Sequence, residues 1–184
     1  MKMKLVMISA AVTTALMASS AIAADGTIYF EGALAGNTCD ITVDGNPLPA
    51  TVTLPTVTAS ALLGIGATAG DTLFKIVLTN CTGVSGTSTA AAFFENGSTV
   101  DYDTFNLKNT ASGGDEAKNV QLQLLDAVNQ SPINVGFYNQ KGSSTRHSIA
   151  SEEAELPYTV RYYSLGSAEP GIVQSQVNFS IDYE

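Results

Sequence analysis

The sequence predicts an all-β domain, a sandwich or a barrel, and three observations carry that reading. Residues 174–184 read QSQVNFSIDYE, with Val177, Phe179, Ile181 and Tyr183 alternating with Asn178, Ser180 and Asp182. A period of two marks a strand with one buried face. Further apolar runs, bounded by Gly, Pro, Asn and Asp, recur at fairly regular spacing, the pattern of a sandwich or barrel. After Ala23 no segment keeps a 3.6-residue period over three turns, so helix contributes little.

The elements follow in chain order. Residues 1–23 are expected to be a signal peptide. Lys2 and Lys4 open it, an apolar stretch over 5–17 follows, and Ala21-Ile22-Ala23 has the small-x-small form that signal peptidase needs. The apolar core is too short to span a bilayer, which takes about 20 residues. Cleavage is expected after Ala23, with Ala24 as the neighbouring alternative. In residues 26–34, Gly26, Ile28, Phe30 and Gly32 alternate with Thr27, Tyr29 and Glu31. Periodicity alone favours an ordinary first strand. Its position, between the cleavage site and the first cysteine with little chain before it, favours a spare strand.

Strands are then predicted over 39–43, over 52–54 ending at Pro55, and over 73–78. The last places Phe74, Ile76 and Leu78 on one face and runs into Cys81. Residues 59–64 read as one helical turn. Strands follow over 90–94, 105–107, 120–125, 133–137 after Pro132, and 158–163 after Pro157. Val120, Leu122 and Leu124 share a face opposite Gln121 and Gln123. Residues 141–151 are polar and read as an exposed loop around His147. The last strand, 172–183, is unusually long, and no strand follows it. Turn chemistry sits at Asp44-Gly45-Asn46-Pro47, Thr82-Gly83, Asn96-Gly97, residues 112–115 and Pro170-Gly171. A last strand with no successor and a spare strand at the start suggest a sheet open at one edge. That is a means of assembly and not of catalysis.

Removing 23 residues from 184 leaves 161, enough for one well-cored domain. Two of the eight basic residues leave with the signal and all seventeen acidic ones stay, for a formal charge of −11. That charge disfavours nucleic acid and anionic membranes as partners. Cys39 and Cys81 are an even pair in an exported chain and are expected to be bridged. Closing that loop of about 40 residues contributes roughly 4 kcal/mol on the chain-entropy account. No catalytic, cofactor or metal site is expected. The one histidine, His147, lies in a polar loop without a nucleophile elbow. Asp101-Tyr102-Asp103 and Glu152-Glu153 read as solvated turns, and Asp115-Glu116 as at most a weak calcium site, since it lacks the spacing of an EF-hand loop.

These residues resemble a known family, the type 1 pilin group of chaperone–usher fimbriae, and its major-type subunits in particular. The segment GTIYFEG from Gly26 to Gly32 is similar to that family's N-terminal stretch after the signal, and Cys39 and Cys81 fall where its disulfide falls. Pro157-Tyr158, Arg161-Tyr162-Tyr163, Gly166 and Pro170-Gly171 resemble its late motif. Tyr183 is penultimate and Gly171 is fourteenth from the end, as in the family. The resemblance implies an immunoglobulin-like sandwich lacking its final strand. A periplasmic chaperone strand would fill the groove first. The N-terminal extension of another pilin subunit would then replace it at an outer-membrane usher. Residues 24–34 would be the donor extension, with Gly26, Ile28, Phe30 and Gly32 on its inserting face, and 35–184 the pilin domain. Gly171, Val177, Phe179, Ile181 and Tyr183 would form the groove strand. The chain would be a structural subunit of an adhesive surface fimbria, or alternatively a minor adaptor or tip adhesin. It would reach the cell surface through the periplasm, with no membrane insertion of the mature chain.

Overall fold

Alternating side chains need two facing layers to bury them, and the chain supplies two antiparallel sheets. The structure is a computed structural model that describes Tyr29, Gly36 and residues 38–184. The expected signal peptide, its cleavage site, and Gly26, Ile28, Phe30 and Gly32 lie outside the described residues. Leu34–Glu184 forms one compact unit, which holds both sheets.

The strands are β1 (Thr38–Val43), β2 (Asn46–Pro47), β3 (Thr68–Thr82), β4 (Thr89–Phe94), β5 (Leu107–Lys108), β6 (Lys118–Asp126), β7 (His147–Ser148), β8 (Ala154–Glu169) and β9 (Phe179–Tyr183). One sheet has the order β2-β1-β3-β8-β6-β5, and the other β7-β4-β9. A 3-10 turn, Ala59–Leu62, and a short helix α1, Gln140–Ser143, complete the elements. The architecture is an all-β, immunoglobulin-like sandwich.

The core lies between the sheets. Phe74, Ile76 and Leu78 of β3, Leu122 and Leu124 of β6 and Leu156 of β8 face Ala90, Ala92 and Phe94 of β4. Tyr158 ties the layers together. Its ring stands edge-on to Phe94, with centroids 5.0 Å apart. Its hydroxyl accepts a hydrogen bond from the Ala92 N–H at 2.8 Å. Burial pushes this phenol up to about 12, so it stays neutral. Cys39 and Cys81 are bridged, which pins β1 to β3 near the end of their ladder.

Several expected elements differ in extent. The strand expected at 73–78 reaches Thr68–Thr82, and that at 158–163 reaches Ala154–Glu169. The two pair along most of their length. The strand at 120–125 widens to Lys118–Asp126 and is buried on both faces. Gln121 is covered because its Oε1 accepts from Thr104 Oγ1 at 2.8 Å and Asn106 Nδ2 at 3.1 Å. Gln123 Oε1 accepts from Arg161 Nε and Nη2 at 3.0 and 2.7 Å. Buried amides persist only when partnered in this way.

Other expected elements are corrected. Residues 52–54 form no ladder, although Val52 and Leu54 pack on the core. Residues 133–137 are not a strand. Ile133 and Val135 are buried, but the chain turns as the Phe137 N–H donates to the Asn134 carbonyl. Gly136 allows that turn at φ +76°, where a Cβ would stand 2.9 Å from Asn96 Cα. The strand over 105–107 shrinks to Leu107–Lys108, because Phe105 has φ 57° and breaks the extended run. The long strand over 172–183 is regular only at Phe179–Tyr183. The polar loop over 141–151 contains the last turn of α1 and all of β7, and Ile149 within it is buried.

Candidate functional site

Val177 and Phe179, the first two of the alternating C-terminal residues, line one wall of a groove. β9 pairs with β4 in the register Ala90↔Tyr183, Ala92↔Ile181 and Phe94↔Phe179. Thr89 and Glu184 exchange both backbone hydrogen bonds, at 2.7 and 2.9 Å, and the Glu95 N–H donates to the Asn178 carbonyl at 2.8 Å. In an antiparallel ladder every second residue turns its backbone groups to the partner. Asn178, Ser180, Asp182 and Glu184 therefore face β4. Val177, Phe179, Ile181 and Tyr183 turn theirs to the opposite edge, where no described strand pairs with β9. The side chains of these four residues pack, half-buried, against the core. Burial pushes the Tyr183 phenol up. Before β9 the chain stays close to neighbouring loops. The Thr110 N–H donates to the Gln174 carbonyl at 2.7 Å and Thr99 Oγ1 to the Gln176 carbonyl at 2.8 Å.

The second wall is the stretch after β2. Ala50, Val52 and Leu54 turn inward, and no backbone group over 48–57 bonds to another described backbone group. Between the walls lies a groove of about 860 Å³. Its floor is the core itself, with Phe74, Ile76, Phe94, Leu107, Leu122 and Leu124 drawn from both sheets. An apolar gap of this kind, between the edge of β9 that no described strand pairs with and a stretch that forms no ladder with described residues, can take an extended segment. Backbone hydrogen bonds would hold it, and alternate side chains would enter the floor.

Gly171 does not line this groove. It sits at the turn after β8, against the backbone of residues 115–117, where a Cβ would lie 2.3 Å from the Ala117 nitrogen. The Ile172 N–H donates to the Asp115 carbonyl and the Ala117 N–H to the Ile172 carbonyl. Only glycine fits that approach, so its place is in guiding the chain toward the wall.

On the outer face of β9, Asp182 is an ionic centre that sequence reading missed. Lys141 Nζ donates to Oδ1 at 2.9 Å and Arg146 Nη1 to Oδ2 at 2.8 Å. Burial pushes the Asp182 carboxyl up, but the hydrogen bonds from Lys141 and Arg146 outweigh it and hold it below the usual range. Both cations come from the segment read as a solvated loop, and their spacing carries no motif. The inner wall at Val52 and Leu54 left only a brief alternation.

A profile of the type-1 fimbrial protein A family matches residues 54–184. The chain belongs to the type-1 fimbrial protein family. It is 38% identical over 175 residues to the F17 fimbrial protein of Escherichia coli, covering 94% of this chain and 95% of that one. It is 41% identical over 167 residues to the major fimbrial subunit SMF-1 of Stenotrophomonas maltophilia, covering 89% and 95%. Among solved structures it is similar to a Burkholderia pseudomallei antigen and type I fimbria protein. That match has a TM-score of 0.51 and 25% identity, over 79% of this chain and 94% of the other. A chain from the structure of a chaperone–usher pilus matches with a TM-score of 0.55 and 17% identity over 88% of this chain and 96% of that one, which shows the fold. This member of the type-1 fimbrial family is thus a fimbrial subunit.

Proposed function

We propose that this fimbrial subunit is a polymerising structural component of an adhesive surface fimbria, assembled by donor-strand exchange. A periplasmic chaperone strand fills the groove first. At an outer-membrane usher, residues 24–34 of another subunit take its place, inserting Ile28 and Phe30 between Gly26 and Gly32. The mature chain begins after residue 23, and residues 35–184 receive the donor. The observation that supports this reading is the apolar groove, floored by both sheets and flanked by β9 on one side and residues 48–54 on the other. Val177, Phe179, Ile181 and Tyr183 serve there as the strand that meets chaperone and donor alike. The relatives named as major fimbrial subunits support a rod role over an adaptor or tip role. The role is mechanical, and no catalytic site enters it.

The test is co-purification of the subunit with its chaperone from periplasm, comparing the wild type with Phe179→Asp. A carboxylate at this position meets the apolar floor and costs several kcal/mol unless it is neutralised. The complex should fall sharply, while oxidised and protease-resistant subunit remains detectable. A wild-type yield of complex from folded variant would contradict the reading.

A further inference from the structure

An open apolar groove is unstable toward closure, because burying its floor is favourable and protein interiors pack densely. Val177 and Phe179 already line the groove beside that floor, and Ile181 packs against the core next to it. Something must hold the wall back, and the structure contains a tie on the side away from the core.

Arg146 uses its whole guanidinium for this. Nε donates to Thr89 Oγ1 at 3.0 Å and lies 3.1 Å from Glu184 Oε2. Nη1 donates to Asp182 Oδ2 at 2.8 Å, and Nη2 to the Asp182 carbonyl at 3.0 Å and the Thr89 carbonyl at 3.4 Å. One planar group thus spans the start of β4 and the end of β9. Such forked, charge-assisted contacts are strong and geometrically specific, and lysine cannot reproduce them. Arg146 is itself moored to the opposite sheet. Next to it, the Thr145 N–H donates to Asp126 Oδ2 at the end of β6. Asp126 is 2% exposed, and its other oxygen accepts from the Val128 and Asn129 N–H groups at 2.8 and 3.3 Å. On its other side, His147 and Ser148 pair with Ala90 and Thr89.

We propose that Arg146 is a positioning residue for docking: by clamping Asp182 from the outer face, it holds β9 in register and keeps the groove open for an incoming strand. This rests on the donor-strand reading of the groove. Preorganising a receiving edge lowers the ordering cost of docking. The clamp therefore acts on how readily a strand enters and less on the stability of the core.

The experiment is hydrogen exchange with mass spectrometry on the full mature chain, with polymerisation of the same samples followed in parallel. Arg146→Gln is expected to speed exchange of the β4-facing Ser180, Asp182 and Glu184 amides about tenfold, with β3, β6 and β8 unchanged, and to slow polymerisation by a similar factor. Asp182→Asn should do the same, and the double variant should add little. Arg146→Lys should fall between, and it carries the test if Arg146→Gln does not fold. Unchanged exchange in β9, an equal rise in every strand, or looser β9 with unchanged polymerisation would each overturn the proposal. Failure of the donor-strand reading shows separately, as normal fibres from a chain lacking residues 24–32.

Discussion

Single residues divide the C-terminal strand into two jobs. Its odd positions, Phe179, Ile181 and Tyr183, face the core, and its even position Asp182 faces Lys141 and Arg146. The odd set was legible because a period of two is written in one short run. The even set was not, since ion pairs join residues about 40 positions apart and leave no local pattern. Asp182 gives a pH dependence with a definite sign. Its folded carboxyl titrates below the ordinary value of 3.8. Its contribution is therefore complete above that value and is lost as pH falls through the lower folded value. Asp126 acts in the same window: burial raises its carboxyl, yet backbone hydrogen bonds from Thr145 and Val128 outweigh burial and hold it low. Thermal unfolding of Asp182→Asn should show only a small loss at pH 7, about 0.5 kcal/mol, because the ion pairs hold β9 more than the core. The difference from wild type should shrink as the pH is taken below 3.8. A gap that persists undiminished into acid would show that the charge is not the source.

At the scale of elements, the disulfide links β1 to β3 across a separation of 42 residues. On the chain-entropy account it contributes about 4 kcal/mol. Cys39→Ser with Cys81→Ser should lower the urea midpoint correspondingly, with little change in the denaturant slope if the native fold is kept. Equal midpoints for bridged and unbridged protein would remove the bridge from the stability account. The core strands around it were readable because Phe74, Ile76 and Leu78 alternate and because turn residues bound each run. The extent of β3 and β8 was not readable. Their added ends, such as Thr68 and Ala69 of β3 and Ala154, Glu155 and Leu156 of β8, are extended because each pairs with a residue of the facing strand, and long-range pairing overrides local propensity. Residues 133–137 misled for the opposite reason. Ile133 and Val135 are apolar and buried, but their neighbours bond within a turn and not along a ladder. Apolar alternation reports burial and is silent on who supplies the hydrogen bonds.

For the whole molecule, the groove is the feature that joins sequence to function. The alternation of Val177, Phe179, Ile181 and Tyr183 was visible in the sequence, together with the resemblance to chaperone–usher pilins; of the four, Val177 and Phe179 line the groove. The wall at Ala50, Val52 and Leu54 was not, because a stretch with no ladder partner cannot be told from a short strand by its pattern. The floor needed the fold, since Phe94, Leu107 and Leu124 lie on three different strands. In the proposed assembly, another subunit's residues 24–34 complete this sandwich. The most direct test of that assembly is deletion of residues 24–32 behind an intact signal, with fibres counted by electron microscopy and subunit–chaperone complex measured in the periplasm. The account predicts a folded subunit that accumulates in the complex, because its groove is intact, and no fibres, because it has no strand to donate. Fibres of normal number and length from the truncated chain would contradict it.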